Sequence, residues 1–133
     1  MKFVSLEETY AIHERMLQIG GGRAGIHDFA MLHSAIERPK AQFGGKYLYD
    51  TIWLMAGAFL QSMVRNQPFE DANKRTAYFT TKRLLFKNGY MLQPKRGEVL
   101  KFMVNVDVKR TSTEQIAAWL EKSSKKQIQA QGL

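Results

Sequence analysis

Hydrophobic residues recur along most of this chain at the three-to-four-residue spacing of an amphipathic helix. The pattern is strongest in residues 50–65, where one face carries Ile52, Met55, Ala56, Phe59, Leu60, Met63 and Val64. Trp53, Leu54 and Ala58 fill the remaining faces. A helix that is apolar on nearly every side is a buried one, so this segment predicts the central helix of the fold.

Weaker patterns of the same period predict five more helices, over residues 5–19, 27–38, 72–88, 97–107 and 113–122. Ser5 and Glu8 form a capping box at the start of the first. Pro39 ends the second, whose apolar side is predicted to carry Phe29, Leu32, Ala35 and Ile36. No segment has a persuasive strand pattern. We therefore predict an all-α fold, a compact bundle of about six helices.

The glycine-rich segment Gly20–Gly25 matches the letters of the dinucleotide-binding fingerprint G-x-G-x-x-G. That fingerprint requires a preceding strand within a βαβ unit. Here a predicted helix precedes the glycines, so we interpret the segment as a helix end followed by a turn.

The composition is that of one small globular domain. The chain has 133 residues, 44% of them hydrophobic, and we predict a domain over residues 1–122 with a polar, frayed tail over 123–133. No run approaches 18 uncharged apolar residues, which argues against a membrane span. The acidic Glu7-Glu8 pair argues against a signal peptide, and the absence of cysteine excludes a disulfide scaffold. These features favour a cytoplasmic protein.

The charge is distributed unevenly. Residues 1–73 hold 7 Lys/Arg and 8 Asp/Glu, a net charge of −1. Residues 74–133 hold 13 Lys/Arg and 4 Asp/Glu, a net charge of +9. A basic C-terminal half favours an anionic partner such as a nucleotide, a nucleic acid or an acidic peptide. A soluble surface with surplus lysine has the same composition.

Residues 66–76 form a short polar segment between two apolar runs and carry the densest candidate chemistry. Pro68 discourages continuation of the preceding helix, and Asp71 and Asn73 are predicted to cap the next one. The first turn of a helix offers free N–H groups and a positive dipole end to an anion, and Lys74 and Arg75 add full positive charge. An ordinary solvated helix start uses the same residue types, so the residues alone leave both interpretations open.

This segment resembles the signature loop of the Fic/Doc family, His-Pro-Phe-x-Asp/Glu-Gly/Ala-Asn-Gly/Lys-Arg. The matching residues are Pro68, Phe69, Asp71, Ala72, Asn73, Lys74 and Arg75. The Lys form followed by Thr76 is similar to the Doc branch, the death-on-curing toxins. The first position differs, because the family has His where this chain has Gln67. The wider resemblance covers about residues 3–122.

The resemblance implies a toxin of a toxin–antitoxin pair that transfers a phosphate from ATP to a threonine of elongation factor Tu and so blocks translation. It implies that Asp71 binds Mg²⁺, that Phe69 anchors the loop in the core, and that phosphates are held by Ala72, Asn73, Lys74 and Arg75. It also implies a flap over the site, formed by Phe43, Gly44 and Gly45, which aligns the target peptide. The implied partner is an antitoxin whose flexible segment folds onto the toxin.

Gln67 stands at the position of the catalytic His of the family. An amide has no useful basicity near neutral pH and only orients a hydroxyl by hydrogen bonding, and loss of a general base costs roughly 10²–10⁴-fold in rate. We therefore expect this chain to be a weak or inactive form of the enzyme.

Two alternatives remain open. A Fic-type enzyme would transfer AMP to a protein hydroxyl instead of a phosphate. A non-catalytic basic helical module would bind its partner through the +9 C-terminal half. Direct nucleic-acid binding is disfavoured, because the aromatic residues do not interleave with Lys and Arg as a stacking surface requires.

Overall fold

The computed structural model describes residues 1–127 of the chain. Within that range the prediction of an all-α bundle of about six helices is confirmed. The helices, named in chain order, are α1 Leu6–Gly20, α2 Phe29–Glu37, α3 Ile52–Asn66, α4 Asn73–Lys87, α5 Glu98–Val108 and α6 Thr113–Lys122. None of the helices in residues 1–127 is long and apolar enough to cross a membrane.

Helix α3 is the central helix, as its sequence predicts. All of its residues from Met55 to Val64 are buried, and α2, α4, α5 and α6 pack against it. The approach of α6 is especially close, because a Cβ atom at Gly57 would lie 3.0 Å from the Thr113 carbonyl oxygen. Gly57 is the only glycine of α3 and lies at this crossing, where a side chain would push the two helices apart.

The structure also has two short strand pairs, for which the sequence shows no persuasive pattern. Strand β1, Gln42–Phe43, pairs antiparallel with β2, Lys46–Tyr47, and β3, Tyr90–Leu92, pairs antiparallel with β4, Ser124–Lys126. These strands have two or three residues each, too short for an alternating pattern to stand out. Residues 124–126, which we predicted to fray, are therefore held by pairing with β3, where Leu92 is buried. The remainder of the predicted tail, residues 128–133, lies outside the described residues.

The predicted apolar side of α2 is only partly correct. Leu32, Ala35 and Ile36 are buried, but Phe29 is 55% exposed. Phe29 is the first residue of α2, and its ring lies beside that of His33 on the next turn, with 6.4 Å between the ring centroids. It therefore packs on its own helix instead of the core.

Helices α1 and α4 run antiparallel and are joined at both ends. At one end, the Glu8 carboxylate accepts hydrogen bonds from Lys87 Nζ and Arg83 Nε. At the other, the Arg75 guanidinium donates to the carbonyl oxygens of Met16 and Gly21. These contacts fix the start of α4 against the end of α1, where the glycine turn begins.

The Glu8 cluster predicts a pH-dependent contribution to stability. Partial burial raises the pKa of Glu8, but it is outweighed by the hydrogen bonds from Lys87, Arg83 and the Ser5 backbone together with the positive charge of Lys87. The pKa of Glu8 in the folded chain therefore lies below the usual value of 4.5. Glu8→Gln keeps a side chain suited to the capping box but removes the charge. We expect it to lower the free energy of unfolding at pH 7 by about 1 kcal/mol.

A depressed carboxyl pKa stabilises the fold above its unfolded value and loses that effect as the pH falls through the folded value. The difference between Glu8→Gln and the parent chain should therefore shrink below about pH 4.5. Urea denaturation at several pH values measures it. Glu7→Gln is the matched control, because exposed Glu7 lies on the same first turn. Equal losses for both variants would show that the ion pairs contribute nothing.

Candidate functional site

The segment between α3 and α4 is held in place by its own backbone. Gln67 ends α3 in the left-handed conformation, with φ 46° and ψ 59°. The Pro68 carbonyl oxygen accepts the N–H groups of His27 at 2.7 Å and Asp28 at 3.0 Å, and the Glu70 N–H donates to the Gly25 carbonyl at 3.1 Å. The segment 25–28 after the glycine turn therefore runs alongside the loop and fixes its path.

Phe69 ties this loop to the core. Its side chain is only 2% exposed, and its ring stacks on that of His13 in α1 with 3.7 Å between centroids and 9° between planes. The Asn73 side chain binds the Phe69 backbone on both sides: its Oδ1 accepts the Phe69 N–H and its Nδ2 donates to the Phe69 carbonyl, each at 2.9 Å. These bonds close residues 69–73 into a ring.

Helix α4 begins without the side-chain cap that we predicted. Ala72 is the N-cap, in the left-handed conformation with φ 63°. Asp71 and Asn73 do not cap the helix, because the first binds the glycine turn and the second binds Phe69. The first bond of the helix runs from the Thr76 N–H to the Ala72 carbonyl. The N–H groups of residues 72–75 have no hydrogen-bond partner within residues 1–127, so the positive end of the helix dipole is open.

The Asp71 carboxylate lies at this open helix start. Its Oδ2 accepts the Arg23 backbone N–H at 2.7 Å and lies 3.4 Å from Arg23 Nε. The backbone hydrogen bond lowers the pKa of Asp71, and the charges of Arg23 and Arg75 lower it further. Asp71 is therefore ionised near neutral pH. Its other oxygen, Oδ1, has no hydrogen-bond partner among the residues described.

Sequence reasoning missed Arg23 as part of this site. The glycine turn was predicted, and Gly21 indeed ends α1 with φ 73°. Gly22 lets the turn approach the loop, because a Cβ atom there would lie 3.1 Å from the Asp71 Cβ. A glycine run that allows close approach of two backbones was the available signal, but nothing local identified the opposing segment 48 residues away.

Lys74 and Arg75, expected to hold phosphates, both have protein partners. Lys74 Nζ lies 2.9 Å from Asp107 Oδ2 of α5. Arg75 Nη1 and Nη2 donate to Met16 and Gly21, each at 2.9 Å. Their charges remain at the edge of the site, but binding an anion directly would require Lys74 to share or leave its ion pair.

Two pockets share Gln67, Glu70 and Asn73 in their linings. The first has a volume of about 320 Å³ and is lined by Val64, Gln67, Glu70, Asp71, Ala72, Asn73, Lys74 and Arg75. The second has a volume of about 480 Å³ and is lined by Arg23, His27, Arg65, Asn66, Gln67, Phe69, Glu70 and Asn73. The exposed Gln67 side chain has no hydrogen-bond partner within the described range. It is therefore free to face a ligand in either pocket.

The first pocket is lined by the kinds of groups that bind a magnesium ion and phosphates. An ionised carboxylate with a free oxygen is the ligand type that Mg²⁺ takes from proteins, alongside water and phosphate oxygens. Four open N–H groups and two cations border the same space, which suits an anion. Asp71 would hold the metal, and residues 72–75 would hold the phosphates through their backbone N–H groups.

The predicted flap is the hairpin β1–β2. Gly44 and Gly45 form its two-residue turn with φ values of 60° and 80°, as such turns require, and Phe43 is 86% exposed. The Tyr47 ring lies 6.1 Å from that of Phe3. Between residues 1 and 127, no hydrogen bond or ion pair joins this hairpin to the loop 67–73.

The ring formed by Asn73 and Phe69 predicts a local stability effect. Asn73→Ala removes two hydrogen bonds and leaves a buried backbone segment unpaired, so we expect the free energy of unfolding to fall by about 2 kcal/mol. Asn66→Ala is the matched control, since it removes one exposed bond to the Met31 carbonyl and should cost less than about 1 kcal/mol. Urea denaturation compares the two. An equal cost would contradict the structural role of the ring.

Comparison with known proteins identifies the family of this chain. The Fic/DOC family matches residues 3–85, more than half of the chain. Toxin Doc of Mycolicibacterium smegmatis is 39% identical over 72 residues, which are 54% of this chain and 55% of that protein. Protein kinase doc of Escherichia phage P1 is 30% identical over 89 residues, 67% of this chain and 70% of that protein. The match thus covers about half the length of the first relative and 70% of the length of the second. The chain belongs to the Fic/DOC family.

Proposed function

We propose that this chain is a Doc-type toxin of a toxin–antitoxin pair, built to transfer a phosphate from ATP to a threonine of elongation factor Tu in the cytoplasm and so to block translation. One observation carries the proposal: an ionised carboxylate, Asp71, stands beside four N–H groups at the start of α4 that have no partner in residues 1–127. The names of the two relatives, a toxin and a protein kinase, support the same function.

Under this proposal, different residues of the loop bind the Mg²⁺ ion and the phosphates of ATP. The metal, when bound, neutralises the charge that develops on the transferred phosphoryl group. Asp71 would hold the metal, while the Arg23 N–H fixes the orientation of the carboxylate through Oδ2. The N–H groups of residues 72–75 would donate to phosphate oxygens, and Lys74, which also lines the pocket, would add positive charge.

The side chain at position 67 determines how fast phosphate is transferred once the nucleotide is bound. Gln67 lines both pockets, so a hydroxyl bound in the second pocket would lie beside it. The amide orients that hydroxyl but takes no proton from it. Binding of the nucleotide is retained under this proposal, whereas transfer is weak or lost.

The antitoxin partner follows from the toxin assignment and suits the charge of the chain. Residues 74–133 carry a net charge of +9, which favours an acidic flexible segment that folds on binding. Such a segment would be tested by mixing the chain with the product of the neighbouring reading frame, and failure to form a complex would remove this partner.

Removal of the Asp71 carboxylate should weaken binding of ATP in the presence of Mg²⁺. We expect Asp71→Asn to lower the affinity at least about tenfold, since a charged contact is worth about 1.5–3 kcal/mol. This variant keeps an acceptor for the Arg23 N–H, so the loop should keep its shape. Isothermal titration calorimetry with and without Mg²⁺ measures the effect.

The control for this experiment is Glu70→Gln. Glu70 is the neighbouring carboxylate, pairs with Arg23 and His27, and lines the same pocket without being the proposed metal ligand. It should change the affinity less than Asp71→Asn does. Absence of ATP binding by the parent chain would reject the nucleotide site and make the basic half the better candidate for function.

Restoration of a base at position 67 should restore transfer. His is one of the residues that most readily adopt the left-handed conformation of Gln67, so Gln67→His should fold normally. We expect phosphotransfer to elongation factor Tu to rise at least about tenfold. Gln67→Asn tolerates the same backbone but supplies no base, and it should stay inactive.

Mass spectrometry of the modified elongation factor identifies the group that is transferred. A phosphoryl group and an adenylyl group differ greatly in mass, so the AMP-transferase alternative would be seen directly. No gain of either product with Gln67→His would reject the assignment of position 67.

A further inference from the structure

The His13 side chain in α1 is fully buried against the signature loop, 58 residues away in sequence. Its ring stacks on Phe69, and its Nε2 lies 2.9 Å from the backbone carbonyl oxygen of Asp71. Within residues 1–127, no other side chain of α1 forms a hydrogen bond to residues 66–73. Histidine on a helix is usually interpreted as packing, and the sequence gives no sign of this bond.

The chemistry of the contact fixes the position of the proton. A carbonyl oxygen only accepts hydrogen bonds, so His13 Nε2 carries the hydrogen and donates it. The other ring nitrogen, Nδ1, is buried and has no partner among residues 1–127. Burying an unpaired polar atom is unfavourable. A phenylalanine would pack on Phe69 without that cost, so the hydrogen bond to Asp71 is the feature that only a polar ring supplies here.

That bond determines the orientation of the peptide unit between Asp71 and Ala72. In a planar trans peptide, the C=O and N–H groups point in opposite directions. The Asp71 carbonyl points inward, to a ring that is 0% exposed. The Ala72 N–H therefore points outward, and Ala72 lines the first pocket. The same peptide precedes the left-handed Ala72, where the backbone needs an external constraint to hold a strained conformation.

We propose that His13 is a positioning residue of the anion site: by holding the Asp71 carbonyl it aims the Ala72 N–H at the phosphate. This inference rests on the proposed function, because the phosphate belongs to the bound ATP. His13 does not touch the ligand and takes no part in proton transfer. Its role is to set the direction of the Ala72 N–H. It also fixes the position of Asp71, the proposed metal ligand, relative to the start of α4.

Two variants separate the hydrogen bond from the packing. His13→Phe keeps a ring against Phe69 and removes the donor. His13→Gln keeps an N–H donor at a similar reach and removes the ring. Thr9→Val is the control for general damage to α1, because Thr9 is fully buried one turn earlier on the same face and bonds only the Ser5 carbonyl in the described part of the chain.

The readouts are the Ala72 amide resonance in a ¹H–¹⁵N NMR spectrum and the affinity for ATP with Mg²⁺. In the free chain, we expect the Ala72 resonance to move in His13→Phe and to stay closer to its parent position in His13→Gln. The affinity should fall about three- to tenfold in His13→Phe, as expected for one hydrogen bond. It should be largely restored in His13→Gln and unchanged in Thr9→Val.

The outcomes distinguish this inference from the proposed function. If the parent chain binds ATP and His13→Phe binds it equally well with an unmoved Ala72 resonance, the positioning role is wrong and the nucleotide site stands. If His13→Gln fails as badly as His13→Phe, a restored N–H donor does not rescue the site and the inference is also overturned. If the parent chain does not bind ATP, the proposed function fails, and the Ala72 resonance of the free variants still decides whether His13 sets this peptide.

Discussion

The two hydrogen bonds between the Asn73 amide and the Phe69 backbone hold the site together. They force five residues into a closed ring whose one large side chain, Phe69, is buried. Packing of the core is thereby transmitted to the polar loop, because the ring cannot open without disturbing Phe69. Asp71 and Ala72 lie within this ring and keep their places without bonding each other. A binding site built in this way is organised before its ligand arrives, which reduces the entropy lost on binding.

The charged residues of the loop serve the fold and the site at once. Arg75 binds the end of α1 and Lys74 binds Asp107 of α5, so each cation that borders the pocket also joins two helices. Among the described residues that line the first pocket, the backbone N–H groups at the start of α4 are then the donors without a protein partner. These groups cost no side-chain entropy when they bind an anion. The positive side chains raise the local potential, whereas the backbone supplies the geometry.

Local patterns predict the helices well and the contacts between them poorly. The period of residues 50–65 identified α3, and the Ser5–Glu8 capping box is present in the structure. Both depend on residues within one or two turns of each other. The Arg23–Asp71 contact joins residues 48 apart, and strand β4 has no hydrophobic face of its own. Such features depend on which segments the fold brings together, and no periodicity of the chain encodes that choice.

The conformation at Gln67 explains why the side chain at this position can change without altering the fold of the loop. Its backbone is left-handed and continues the α3 hydrogen bonds to Met63, but its side chain is exposed and bonds to nothing within the described residues. The ring, the glycine turn and the start of α4 therefore do not depend on which side chain stands there. Under the proposed function, replacing a base by an amide at this position would alter proton transfer and leave the residues proposed to bind phosphate and metal as they are. A toxin changed only here would keep its fold, its nucleotide site and the surfaces that its antitoxin and target recognise.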